Sequence, residues 1–226
     1  MKQIDPCSTQ IFSEIPVTYY HLNTGKDKPL LIFFHGYSDS AQAFLRRSFP
    51  DLDADYEILA INGLFPVPQK KDNVWKQAFA WYFADFSSNS ILIHPQVAAK
   101  AVSQLIESLG LNEREKILIG FSQGGFFLPF IFPQLRNVKH LIAIGAAYRE
   151  QDYSTNLPAP LDALHGDEDE IINIDQAQKS FIALVRSRNP KGQFLRFKGL
   201  GHTMNDEARA WLKNKIKEVF KNEKKH

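Results

Sequence analysis

The sequence predicts an α/β fold: a mostly parallel central sheet covered by helices on both faces. Three observations carry that prediction. Short apolar runs of strand length alternate along the chain with longer amphipathic segments of helical period, the pattern of parallel strands joined by helical crossovers. One run enters Gly120-Phe121-Ser122-Gln123-Gly124-Gly125 and leaves as a helix, a turn so sharp that the residues two either side of the serine must be nearly free of side chain. The residues able to do chemistry follow strands at their carboxyl ends, where the loops of an open parallel sheet meet over a shared crevice.

The strands and helices read off in order. Ile15 to Leu22, rich in Val, Thr and Tyr, is an early strand, placed at an edge by Pro16. A polar turn from Asn23 to Pro29 precedes Leu30-Leu31-Ile32-Phe33-Phe34, a strand buried on both faces that ends in His35-Gly36-Tyr37-Ser38-Asp39. Ser40 caps a helix containing Phe44 and Leu45, Tyr56 to Ile61 is the next buried strand, and Asn62-Gly63 closes it. Leu64 to Asn89 is aromatic but irregular, broken by Pro66 and Pro68. Pro95 opens a helix to Leu109, with Val97, Ala98, Ala101, Val102, Leu105 and Ile106 on one face and Gly110 as its stop. Lys116 to Ile119 leads into the serine turn, and Pro129 is expected to kink or shorten the helix that follows. Val138 to Ile144, Leu161 to Leu164 and Gln193 to Phe197 are further strands; Ile174 to Arg188 and Asn205 to Phe220 are helices.

Composition removes several function classes. The 226 residues suit one domain, 1–226, without repeat or linker, long enough to bury about 70% of the surface its unfolded chain would expose. With 27 basic and 25 acidic residues the formal charge is +2, so no field draws nucleic acid. The lysines from Lys213 to Lys225 alternate with apolar residues and read as the solvated face of a last helix fraying into a tail. Cys7 is alone and so forms no internal disulfide, the chain start has no apolar signal core, and no apolar run approaches a membrane span. These points lead us to expect a cytoplasmic protein with no stable membrane insertion. His21, His94, His140 and His226 lack metal-ligand spacing, and Asp167-Glu168-Asp169-Glu170 lacks the glycine of a calcium loop, so no metal is expected. Neither a phosphate loop nor a dinucleotide fingerprint is present, so no cofactor is expected.

The serine turn gives the chemistry. It exposes the Ser122 hydroxyl and aims the backbone N–H of Gln123, at the start of a helix, toward a developing oxyanion. A serine hydroxyl attacks only when an imidazole takes its proton and a carboxylate fixes that imidazole, so a histidine and an acid must share the crevice. His202 follows one strand end, and Asp167 and Asp169 follow another, either close enough in sequence to serve; His35 and His165 read as residues that orient loops. The chain order Ser, Asp, His is that of α/β-hydrolases.

On the motifs Phe33-Phe34-His35-Gly36-Tyr37-Ser38-Asp39, Gly120 to Gly125, His165-Gly166-Asp167-Glu168-Asp169 and Gly201-His202, with Ala80-Trp81-Tyr82, the chain resembles the phospholipase/carboxylesterase branch of the α/β-hydrolase superfamily, typified by acyl-protein thioesterases. The resemblance implies the α/β-hydrolase fold and a catalytic set of Ser122, Asp169 and His202, the acid following the pattern His-Gly-x-x-Asp. It implies an oxyanion hole of the backbone N–H groups of Tyr37 and Gln123, and substrate contacts from the aromatic stretch, for which Trp81 and Phe65 stand. The chain departs from the family in having Glu170 where proline often follows the acid, and in the composition of Leu64 to Phe86. The expected partner is a small-molecule ester or thioester, with a homodimer left open. The expected activity is serine esterase action through an acyl-enzyme. Acyl transfer to another acceptor by the same triad, or a non-catalytic binding role on a hydrolase fold, are the alternatives.

Overall fold

The computed structural model describes residues 15–22, 28–50, 56–85, 87–88, 90–149, 152–153, 159–188 and 191–221. Cys7 and the chain start, most of the turn at 23–27, Phe86, Asn89, and the tail from 222 with Lys224, Lys225 and His226 lie outside the described residues. In chain order the elements are β1 (Tyr19–Leu22), β2 (Leu30–Phe34), α1 (Ala41–Ser48), β3 (Glu57–Ile61), β4 (Phe65–Pro66), β5 (Gln69–Lys71), β6 (Val74–Lys76), β7 (Phe79–Ala80), β8 (Phe83–Asp85), β9 (Ser90–Ile93) and α2 (Pro95–Ser108). Then come β10 (Lys116–Phe121), α3 (Gln123–Ile131), a 3₁₀ turn (Phe132–Gln134), β11 (Val138–Ile144), β12 (Leu161–Gly166), α4 (Ile174–Arg188), β13 (Phe194–Phe197) and α5 (Asp206–Lys221).

Seven strands form one sheet in the order β1-β3-β2-β10-β11-β12-β13, parallel throughout except for β1, which runs antiparallel to β3 at the edge. Because side chains alternate across a strand, the unbroken apolar run of β2 serves two cores at once. Leu30, Ile32 and Phe34 pack with α2, α3 and α4 on one face, while Leu31 and Phe33 pack with α1 and α5 on the other. Sequence order reverses direction between β2 and β10, so the loops leaving these two strands part and open a crevice at their carboxyl ends.

Helix ends follow the sequence signals. Ser40 Oγ accepts from Ala43 N at 3.3 Å to cap α1, and Gly110, at φ +68°, ends α2. His94 caps α2 by accepting from Gln96 N at 3.1 Å, which was not anticipated. Pro129 leaves α3 only nine residues long before the 3₁₀ turn, and the helix is buried from Gly124 to Ile131. Three expectations need correction. Val97 is 47% exposed rather than part of the buried face of α2, because that face is completed by Ala99. β1 starts at Tyr19 instead of Ile15, where its pairing with Ile61 begins. The aromatic stretch is three small antiparallel ribbons, β4 with β7, β5 with β6 and β8 with β9, the last using an unpredicted strand at 90–93.

Candidate active site

The elbow forms because two of its residues lack side chains. A Cβ on Gly120 would collide with the carbonyl of Gly124, and one on Gly124 with the carbonyl of Phe34, so the turn packs backbone on backbone. Between them Ser122 is held at φ 51° and ψ −116°. A non-glycine residue in such a conformation costs about 1–3 kcal/mol, and the neighbouring packing has to hold it there. Its N–H donates to Ile144 O at 2.7 Å and its carbonyl accepts from Phe126 N at 3.0 Å, which ties the turn to β11 and to α3.

The histidine arrives beside this turn from the loop after β13. The ring of His202 lies 4.8 Å from that of Phe121, centroid to centroid, and against Gly145, the residue after Ile144. Its Nδ1 donates to Asp169 Oδ2 at 2.7 Å. That bond fixes the tautomer and leaves the Nε2 lone pair as the base. Asp169 is 8% exposed, and its other oxygen accepts from Ile171 N at 2.9 Å and Ile172 N at 2.8 Å. Of the two acids, then, Asp169 meets the imidazole; Asp167 accepts instead from Gly199 N at 2.7 Å, closing its own loop.

Tyr37 follows β2 and Gln123 follows β10, its paired neighbour, and both loops make contacts with the aromatic stretch. The Gln123 amide spans that stretch, its Oε1 accepting from Trp81 N and its Nε2 donating to Tyr82 O, both at 2.9 Å. On the other side Trp81 Nε1 donates to His35 O at 2.8 Å, Ser38 N donates to Phe79 O at 2.9 Å, and Phe79 N donates to Asp39 O at 2.8 Å. His35 itself is fully buried, donates from Nδ1 to Gly36 O at 2.7 Å and accepts from Gly63 N at Nε2, 2.9 Å away. Burial lowers its pKa to about 4, so it stays neutral and keeps both roles. His165 likewise serves the loops: its Nε2 donates to Ile172 O at 2.8 Å and lies 3.2 Å from Asp169 Oδ2, with burial again lowering its pKa.

Beside Ser122 and Gln123 opens a cavity of about 500 Å³ walled by Tyr37, Phe83, Phe126, Tyr148 and Ile172, with Arg149 and Asp85 as its charged residues. Trp81 and Phe65, the expected substrate contacts, are not among its walls. Trp81 is fully buried and stacks on Phe127 at 4.9 Å, behind the wall, because its indole fills the core under the elbow helix. Phe65 stands one ring further back, 5.7 Å from Phe83. The residues that do form the wall, Tyr82, Phe83 and Phe126 among them, were visible as aromatics, but the short ribbon around Phe83 carries too little periodicity to say which side faces the cavity, and the helix of Phe126 is apolar all round. Tyr148 and Arg149 gave no sequence signal at all.

Among the described residues no group of histidine, cysteine and acidic side chains is placed to hold a metal ion, and no helix is long and apolar enough to cross a membrane. A family model described as phospholipase/carboxylesterase matches residues 22–219. The chain is 26% identical over 196 residues to acyl-protein thioesterase 1 homolog 2 of Dictyostelium discoideum, covering 78% of this chain and 86% of that one. Its fold is similar to the crystal structure of Zea mays acyl-protein thioesterase 2, with a TM-score of 0.68 at 15% identity over 89% of this chain and 98% of that one. It is equally similar to a carboxylesterase from Mesorhizobium loti, with a TM-score of 0.68 at 16% identity, covering 91% of this chain and 96% of the other.

Proposed function

Since the chain belongs to the phospholipase/carboxylesterase family of the α/β-hydrolase fold, we propose that it is a serine esterase that cleaves carboxylic esters or thioesters through an acyl-enzyme. Ser122 Oγ attacks the acyl carbon while His202 Nε2 takes its proton. Asp169 stabilises the imidazolium that forms. The carbonyl oxygen becomes an oxyanion that accepts from the backbone N–H groups of Tyr37 and Gln123. Collapse of the tetrahedral intermediate expels the alcohol or thiol, which leaves with the proton held by His202. Water then attacks the acyl-serine by the same steps in reverse, giving the carboxylic acid and free Ser122. The apolar cavity receives the substrate arm.

The observation that carries this reading is the 2.7 Å bond between His202 and Asp169, formed beside a serine held at positive φ. A fluorophosphonate probe tests it, because only an activated serine attacks the phosphorus. One site should be labelled, and Ser122→Ala should abolish both the label and at least about 10⁴-fold of the esterase activity. Equal labelling of the variant would overturn the reading.

A further inference from the structure

Both proposed oxyanion donors, Tyr37 N and Gln123 N, belong to loops that touch one short strand pair, β4–β7, and the residues just beyond it. We infer that the Gln123 side chain and Trp81 are positioning residues for the oxyanion hole: together with segment 79–82 they fix the spacing between its two donors. The inference rests on the serine esterase reading above and goes beyond it.

Backbone N–H groups make an effective oxyanion hole only when they are held in place before the charge develops, because any reorganisation during the reaction is subtracted from their effect. The elbow is held by its own packing, with Gly124 against the carbonyl of Phe34 and Gly36 beside Ser122, but Tyr37 lies beyond that contact in the loop 35–39. Segment 79–82 bridges them. Toward the elbow, the Gln123 amide holds the backbone of Trp81 and Tyr82 by two bonds of 2.9 Å. Toward the other loop, Trp81 Nε1 holds His35 O at 2.8 Å, and Phe79 makes two backbone bonds to Ser38 and Asp39 that flank Tyr37 on its far side. The bridge cannot swing, because the Trp81 ring is fully buried between Phe34 at 5.3 Å and Phe127 at 4.9 Å. Phe34 ends the strand before one donor and Phe127 lies in the helix after the other. The bond from Trp81 Nε1 to His35 O is buried and the two from the Gln123 amide are partly buried, where a fixed dipole is more effective than in open water.

A Gln at position 123 is therefore explained by its side chain as well as by its backbone. An amide accepts from an N–H with one atom and donates to a C=O with the other; an ionised carboxylate lacks the donor, and a thioether lacks the donor and is only a weak acceptor.

Gln123→Met keeps the length of the side chain and removes the amide. Turnover of p-nitrophenyl hexanoate should be measured per active site titrated with the fluorophosphonate, so that unfolded protein does not count. The expected result is a fall in kcat of about 10- to 100-fold with KM within about threefold, the signature of an interaction made mainly in the transition state. The inhibition constant of hexanoic acid, a ground-state ligand, should stay within about threefold. Trp81→Phe, which loses the bond to His35 O but retains an aromatic ring in the stack, should give the same split at smaller size, and it serves alone if the methionine variant does not fold. Rates per titrated site within threefold of the parent for both variants would overturn the inference and leave the esterase reading standing. So would kcat and KM worsening together, which marks a general loss of the site. If the parent protein itself hydrolyses no ester and takes up no probe, it is the esterase reading that fails.

Discussion

At the carboxyl end of the sheet His202 lies 2.7 Å from Asp169; toward the amino end His140 lies 2.9 Å from Asp162 and His21 lies 2.7 Å from Glu57. Each pair joins a histidine to a carboxylate at a similar distance, and the three acids are equally withdrawn from water. They differ in what else the acid touches. Glu57 also faces Arg114 at 2.8 Å, and Asp162 also faces Lys215 at 3.5 Å and accepts from Gln193 N at 3.0 Å. Asp169, among the described residues, meets only backbone N–H groups and two imidazoles, one of which burial keeps neutral. Where an arginine or lysine already neutralises the acid, gaining or losing a proton on the histidine changes little. Where none does, the carboxylate gains most from the imidazolium, and that is the condition a general base requires. On the esterase reading, His202 is the histidine whose acid has no arginine or lysine beside it among the described residues and whose ring lies against the serine turn.

The comparison is broken most directly by exchanging each acid for its amide. Asp169→Asn should lower kcat by roughly 10²- to 10⁴-fold with KM little changed, because the amide favours the wrong tautomer of His202. Asp167→Asn should stay within about tenfold of the parent. Asp162→Asn should leave kcat within about threefold while lowering the unfolding midpoint, by about 2–4 °C for each kcal/mol lost in a chain of this size. Equal kinetic losses at 162 and 169 would remove the distinction between the two ends.

A smaller effect separates the ends by pH. His35 titrates near 4 in the folded chain and near 6.5 once unfolded. Between those values the unfolded chain binds more protons, so stability conferred by neutral His35 is complete above about pH 6.5 and is lost as pH falls toward 4. His165 adds to the slope with the same sign. Urea midpoints measured from pH 7 to pH 4 should decline, and His35→Gln, which can still accept from Gly63 N but takes no proton, should flatten part of that decline. The smallest change belongs to the exposed amino-end pair Arg136–Glu113, whose side chains are 73% and 68% accessible. Glu113→Ala should move stability by no more than about 0.5–1 kcal/mol, and less in high salt.

The central strands of the sheet were legible because they are buried on both faces and so read as apolar runs, whereas β1, exposed along most of its length, begins later than its sequence suggests. The elbow was legible because only glycine fits its backbone contacts, and His202 because it follows a strand end; the residues alone left Asp167 and Asp169 both open, and the family resemblance singled out Asp169. The amino-end networks were not. His21 and Glu57 are 36 residues apart and His140 and Asp162 are 22 apart, so nothing local announces either pair. Trp81 was misplaced for a related reason: a large aromatic beside a strand-end loop fills a core or lines a pocket equally well in sequence, and here it fills the core between Phe34 and Phe127. The side chain of Gln123 was overlooked because its backbone N–H already explained its position.

Lys116 begins the strand that delivers Ser122, and it is wholly buried, its Nζ donating to Asn112 O at 2.7 Å and Arg136 O at 2.5 Å. Burial lowers its pKa to about 8, with Glu113 partly opposing the shift. At mildly alkaline pH about half of this amine is therefore in the neutral, nucleophilic form, whereas ordinary surface lysines remain almost entirely charged. While the strand is closed this amine is out of reach, and once exposed it regains the pKa of an ordinary lysine. Acylation of Lys116 by an amine-directed reagent consequently reports each moment at which the amino end of β10 breathes open, a clock for local opening that needs no introduced label.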